Sequence, residues 1–208
     1  EMQTDAQWLI RMVENLLSVT RIDGGNVRLK KSPTVPEELI DAVLVKFRKH
    51  YPQQKITVQL PEDFISIPMD AMLIQQVLIN ILENAVFHAK EMTQLTLSVV
   101  CKNGHAEFCV SDDGCGIPKD RIPGLFSGFQ DRENFVETGR SNMGIGLSVC
   151  QTIIKAHGGE LKAGNRKSGG AVFQFALEME ETENGLALDS ACRYHLSGRR
   201  SRRRISVP

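Results

Sequence analysis

The stretch from Asp70 to His88 limits what this chain can fold into more than any other. Met72, Leu73, Ile74, Val77, Leu78, Ile79, Ile81, Leu82, Ala85 and Val86 cover most of a helix, the pattern of a helix buried on several sides. One line of it is polar. Gln76, Asn80, Asn84 and His88 recur every fourth residue and stack along a single face, with Glu83 beside them. The rest of the chain has to be arranged around this element.

Two readings of the stripe stand side by side. It is the solvated face of an amphipathic helix, or it is a set of ligands. Solvent faces are filled by Lys, Glu and Arg, whereas Asn is a poor mid-helix residue because its short amide competes for backbone groups. Two Asn side chains one turn apart on a rigid element offer amide oxygens to a hard cation, and Mg²⁺ typically keeps several waters and bridges to phosphate oxygens.

At 208 residues the chain is long enough for one packed domain with appendages, and 41% apolar with 24% charged residues excludes disorder throughout. The formal net charge of +0 gives no global case for a polyanion partner, so no nucleic acid is predicted. Cys101, Cys109, Cys115, Cys150 and Cys192 form no CxxC pair and no zinc-ligand spacing, as expected of thiols in a reducing compartment. No apolar run approaches the roughly 18 residues that cross a bilayer, and the N-terminus lacks a signal peptide's layout. The expectation is a soluble segment cut from a longer chain, since it starts at a helix-like stretch without Met.

In chain order, Trp8, Leu9, Met12, Val13, Leu16, Leu17, Val19 and Ile22 predict a helix over 5–22 that Gly24-Gly25 ends. Residues 26–31 alternate as a strand, Pro33 marks a turn, and Pro36 opens a helix to about His50. Residues 55–60 alternate again, 61–68 connect, and Asp70 is placed to cap the central helix. Residues 95–101 and 106–110 predict a hairpin around Lys102-Asn103-Gly104-His105. Continuing the period of two puts Asp112 on the face of Ala106, Phe108 and Val110. There it either begins the turn with Asp113-Gly114 or acts as a buried acceptor at a pocket mouth, able to take a hydrogen bond from the exocyclic amine of an adenine.

From Cys115 to Asn142 periodicity gives way to glycines, prolines, charges and scattered Phe residues. Loops of that length inside compact domains are functional lids or disordered segments. Arg132 and Arg140 are candidates for phosphate there, beside the plainer reading of solvated arginines. Met143-Gly144-Ile145-Gly146-Leu147 then opens a helix to about Ala156, and a glycine-rich helix start leaves N–H groups free for an anion. It lacks the third glycine of a dinucleotide fingerprint and the GK[ST] of a Walker A loop. Strands at 160–162 and 171–179, joined by Lys167-Ser168-Gly169-Gly170, complete the pattern.

Taken in order, Asn80-x-x-x-Asn84, Asp112-x-Gly114-x-Gly116, Phe126-x-x-Phe129 and Gly144-x-Gly146-Leu147 resemble the N, G1, F and G2 boxes of the ATP-binding domain of sensor histidine kinases. The resemblance covers 26–181, and 8–17 also looks like the second helix of the kinases' dimerisation and phosphoacceptor domain. Within the family it is nearest to the potassium-responsive KdpD sensors. It implies an α/β two-layer sandwich, a mixed β-sheet with helices on one face (the Bergerat fold), holding ATP between the central helix and a lid over 115–143. Residues 1–25 would be a remnant of the phosphoacceptor domain and 182–208 a basic, disordered tail.

By the same resemblance Asn80 and Asn84 sit at Mg²⁺ and the phosphates and Asp112 at adenine. Gly114, Gly116, Gly144 and Gly146 let the backbone approach the nucleotide, with Ile145 and Leu147 in the same segment. His88, Arg132 and Arg140 are the phosphate candidates. The implied reaction transfers the ATP γ-phosphoryl group to a histidine and onward to a response regulator. The implied setting is a homodimeric full-length protein, with this segment a cytoplasmic domain of a membrane-associated sensor and no membrane segment of its own.

Three departures qualify the match. Phe87 stands where the family often has a basic residue, the arginine after the F box is displaced to Arg132, and no His carries the phosphoacceptor pattern. The acceptor is therefore expected upstream of Glu1, so that this segment alone would bind ATP without phosphorylating a family-type histidine of its own. ATP-hydrolysing relatives with the same fold resemble E-x-x-x-N in the central helix, where Glu activates water. Here that position is Asn80, and an amide is no general base. Glu83 projects about 100° away from Asn84 and is either a structural residue or a group assisting proton removal from the acceptor. A serine-directed anti-sigma kinase and a degenerate interaction module remain the other readings.

Overall fold

The computed structural model describes residues 29–127 and 145–179, with the backbone of 203–206. The helix expected over 5–22, residues 26–28 and the loop over 128–144 lie outside the described residues. In chain order the elements are β1 (Ser32–Thr34), α1 (Pro36–His50), β2 (Ile56–Leu60), β3 (Ile67–Met69), α2 (Ala71–His88), β4 (Leu95–Lys102) and β5 (His105–Asp112). Then follow α3 (Ile145–Ala156), β6 (Lys162–Asn165), β7 (Ala171–Glu178) and β8 (Arg203–Ser206).

Helix α1 begins with Pro36, whose fixed φ suits a first turn, carries Glu37 and Glu38 there, and ends on Arg48, Lys49 and His50, so its charges complement the helix dipole at both ends. Its Leu39, Ile40, Val43, Leu44 and Phe47 are buried. Helix α2 is capped as expected: Leu73 N–H donates to the Asp70 carboxylate at 3.3 Å.

The main sheet runs β6-β7-β5-β4-β2-β8. Only β2 and β4 pair in parallel; the other neighbours are antiparallel. A parallel pair needs a crossover, and α2 is part of it, which draws the polar stripe across the sheet. The hairpin turn between β4 and β5 is Asn103-Gly104, both with positive φ (51° and 74°), the turn whose twist matches the strands it joins. On β5 the inward residues are Ala106, Phe108, Val110 and Asp112, and the Phe108 ring stacks on Phe175 of β7 at 5.0 Å. One continuous core joins this face to all three helices, giving the α/β sandwich of two layers.

Two expectations change. Residues 29–31 form no strand; the first strand among the described residues is Ser32–Thr34, which pairs with β3 so that Pro33 meets Pro68. In a sheet of two strands both are edges, so prolines lacking an N–H are tolerated where a longer sheet would reject them. The strand expected at 160–162 runs Lys162–Asn165, because the β6–β7 turn, closed by Arg166 N–H on the Gly170 carbonyl at 2.9 Å, fixes the register up to Asn165. Of the tail expected to be disordered, 203–206 is described: its backbone forms β8, with Ile205 opposite Val58 along the outer edge of β2. Among the described residues no helix is long and apolar enough to cross a membrane.

Candidate functional site

Helix α2 supplies the floor of the site. The Gln76 amide donates to Asn80 Oδ1 at 3.1 Å, so the stripe is internally bonded rather than a set of independent solvent-facing groups. Across from it, α3 comes close enough that a Cβ added to Gly146 would lie 3.9 Å from the Asn80 amide carbon. Cys150, one turn further along α3, is fully buried, points its thiol at the Val77 carbonyl at 3.8 Å and hydrogen-bonds the Asn80 side chain; burial pushes that thiol up to about 12. Asn80 of the polar stripe and Gly146 of the second glycine motif are therefore neighbours. Leu147 is buried in the core, so any part it plays in the site falls to its backbone.

Asp112 ends β5. Its carboxylate is 3% exposed, and Oδ1 accepts both Gly114 N–H at 3.0 Å and Ala171 N–H at 3.2 Å. Among the described residues Oδ2 has no hydrogen-bond partner, which leaves one acceptor of a buried carboxylate for something else. The turn reading of Asp112 is met by Oδ1, while Oδ2 takes no bond from the described residues. Asp113 faces the other way and binds Thr93 and Gln94, the Thr93 hydroxyl first among the contacts that hold its carboxyl down to about 2.

The two glycines of this turn have protein neighbours that account for them. A Cβ on Gly114 would lie 2.8 Å from the Cβ of Ala89, at the end of α2. Gly116 has φ +74°, and a Cβ there would meet Asn165 Oδ1 at 2.8 Å. Packing requires these glycines whether or not a nucleotide approaches them.

His88 ends the stripe, and its carbonyl accepts the Cys115 thiol at 3.4 Å. Burial and then the nearby Arg121 guanidinium lower its pKa, so at neutral pH its ring is uncharged and Arg121 is the permanent cation of the pair. Sequence reading missed Arg121, because one arginine in a loop looks like any other until the loop folds back on a helix end. It also missed Asn165 and Arg166, which grip the Asp112 turn from β6.

Phe87 turns its ring edge-on to Tyr51 of α1, centroids 6.1 Å apart. Glu83 lies one turn back on the same face and is buried, so this flank is directed at α1 rather than along the stripe, an orientation that favours a structural role for Glu83. Arg132, Arg140, Gly144 and the side chain of Ile145 lie outside the described residues.

Residues 69–181 match the family described as histidine kinase-, DNA gyrase B-, and HSP90-like ATPase. The sensor protein KdpD of Clostridium acetobutylicum is 38% identical over 176 residues, covering 85% of this chain and 20% of that protein. KdpD of Escherichia coli is 32% identical over 170 residues, covering 82% and 19%. The chain thus spans about a fifth of the length of these two relatives. Among solved structures, the Acinetobacter baumannii histidine kinase AdeS superposes with a TM-score of 0.67 at 22% identity, over 86% of this chain and 82% of that one. The catalytic domain of histidine kinase ThkA gives 0.59 at 25% identity, over 72% and 96%. The chain belongs to the histidine kinase-, DNA gyrase B- and HSP90-like ATPase family, as a sensor-histidine-kinase ATP-binding domain similar to that of KdpD.

Proposed function

We propose that this domain binds Mg²⁺-ATP between α2 and the segment 115–143 and serves as the catalytic half of a sensor histidine kinase, its γ-phosphoryl acceptor being a histidine outside these 208 residues. The observation that carries the reading is the spare Oδ2 of buried Asp112. Among the described residues the fully buried side-chain polar atom without a partner is Glu37 Oε2, not Asp112 Oδ2, so Oδ2 keeps access to a donor from outside, and the exocyclic amine of adenine is such a donor. Gly146 and the start of α3 offer backbone N–H groups to the phosphates.

The donor set is of the kind a hard cation takes, since Asn80 and Asn84 carry neutral amide oxygens one helical turn apart. When bound, Mg²⁺ would neutralise charge on the phosphate oxygens. Arg121, with neutral His88 beside it, is the fixed positive charge we assign to the phosphate side, and Arg132 and Arg140 are further candidates. Glu83 is given no step. In this reading residues 1–25 belong to the dimerisation and phosphoacceptor region, 26–181 form the catalytic domain, and the partners are the acceptor domain and a response regulator. The full-length protein is then a dimer, with this domain on the cytoplasmic side of a membrane-associated sensor.

The test is calorimetry of ATP binding with and without Mg²⁺ on the wild type, Asp112→Asn and Asn84→Ala. Mg²⁺-dependent binding that weakens in both variants, with negligible turnover, is expected. Steady phosphate release would make the domain a hydrolase instead, and no binding by a folded sample would make it an interaction module.

A further inference from the structure

The turn that carries Asp112 is held from outside by one hairpin, β6–β7. Asn165, the last residue of β6, closes both backbone groups of Ile117 with its single amide: Oδ1 accepts the Ile117 N–H at 2.7 Å, and Nδ2 donates to the Ile117 carbonyl at 2.7 Å. Arg166 donates from Nη1 to the Asp112 carbonyl at 2.7 Å, and Ala171 N–H, across the same hairpin turn, reaches Asp112 Oδ1. The contact is tight as well as polar. A Cβ on Gly170 would fall 2.1 Å from the Asp112 carbonyl oxygen, and one on Gly116 would strike Asn165. So the segment from Asp112 to Ile117 is gripped at both ends by residues 48 to 59 positions away in sequence.

That grip fixes more than a loop. Asp112 Oδ2 is useful for reading a base only if the carboxylate plane is held, and its plane follows the backbone that Arg166 and Asn165 bind. Arg166 acts at the residue itself. Asn165 acts where the chain leaves the turn, and an amide bonded to both N–H and C=O of one residue fixes that peptide's direction as a strand neighbour would.

We propose that Asn165, supported by Arg166, is a positioning residue for recognition of the nucleotide base, setting the turn that presents Asp112 Oδ2. The inference rests on the nucleotide reading above. Asn165 touches no ligand in this scheme; its effect passes through Ile117 and the turn.

The experiment compares the wild type, Asp112→Asn, Asn165→Ala and Asn165→Asp for binding of ATP, GTP and inorganic tripolyphosphate by calorimetry, with thermal unfolding of each. Asn165→Asp keeps the acceptor for Ile117 N–H and loses the donor, so it guards against a variant that fails to fold. Expected for Asn165→Ala is a loss of about 5-fold in ATP affinity, a smaller ATP-to-GTP preference and unchanged tripolyphosphate binding, with Asn165→Asp in between. Faster hydrogen exchange at the Ile117 amide should accompany it.

Equal losses for ATP, GTP and tripolyphosphate would mark a general structural defect and overturn the assignment, as would full ATP preference in a folded Asn165→Ala. If the wild type binds no ATP, or Asp112→Asn binds as the wild type does, the nucleotide reading itself falls. If those two behave as expected and only the Asn165 variants do not, this inference alone falls.

Discussion

His157 accepts the backbone N–H of Asp70 on Nε2 at 3.1 Å while its Nδ1 faces the Ile153 carbonyl at 2.8 Å, so one buried neutral imidazole joins the end of α3 to the start of α2. The two helices that build the site are tied at this point, and Lys31 Nζ adds a bond to the His157 carbonyl at 3.4 Å. Protonation would remove the acceptor that Asp70 N–H uses.

Stability should therefore depend on pH in a defined direction. Burial lowers the His157 pKa from 6.5, with Lys31 adding to the shift against the Ile153 hydrogen bond and Asp70. With the folded value below the unfolded one, the unfolded chain binds the extra proton first. The contribution is present above about pH 6.5 and lost as pH falls through the lowered folded value. Urea unfolding at pH 7.5 and 5.5 should show the loss. His157→Ala should cost about 1–3 kcal/mol at pH 7.5 and flatten that part of the profile.

Asp112→Asn and Asp112→Ala should separate the two oxygens of this side chain. The amide keeps an Oδ1 for Gly114 and Ala171 N–H but puts an NH₂ where Oδ2 was, so the melting temperature should hold while ATP affinity drops about 5- to 100-fold. Alanine abandons both N–H groups and should lose stability as well. Parallel calorimetry and thermal melts decide between them.

The glycines divide in a testable way. Gly146→Ala meets nothing closer than 3.9 Å among the described neighbours, so it should fold with stability unchanged or raised by up to about 1 kcal/mol. Weaker ATP binding in that variant would then report on the ligand's approach alone. Gly170→Ala, at φ +83° and 2.1 Å from the Asp112 carbonyl oxygen, should cost more than about 3 kcal/mol. Chemical denaturation of the pair checks both.

Arg121→Ala should raise the His88 pKa, because the guanidinium is the second cause lowering it, yet leave it below 6.5 because burial remains the larger cause. An NMR titration of the imidazole protons measures this directly, without any ligand.

Where the determinants are local, the sequence displays them. The period of four in α2, the period of two in β5 and the Asn103-Gly104 turn each depend on neighbours a few residues apart, and each forms as the pattern indicates. The Asp70 cap is legible for the same reason. Ser32–Thr34 was not, because two prolines become tolerable in a strand only once it is known to be an edge. Nor was the setting of Gly114 and Gly116: by spacing alone both read as ligand glycines, and only the fold brings Ala89 and Asn165, far off in the chain, against them. Arg121, Asn165 and Arg166 belong to the same class, since their roles arise from contacts that no spacing encodes.

The β4–β5 hairpin also provides a handle. Its register pairs Lys102 with His105 at one end and Leu95 with Asp112 at the other, so the Asn103-Gly104 tip stands seven residues of extended strand, about 23 Å, from the carboxylate. A Cβ on Gly104 would meet nothing within 4 Å, but its φ of +74° strains any L residue there, so the exposed Lys102 beside the turn is the better attachment point. A fluorophore, a surface tether or even new chain termini introduced at that tip would ride on a strand whose far end is the aspartate we propose to meet the base, near enough to report on that site and too far to obstruct it.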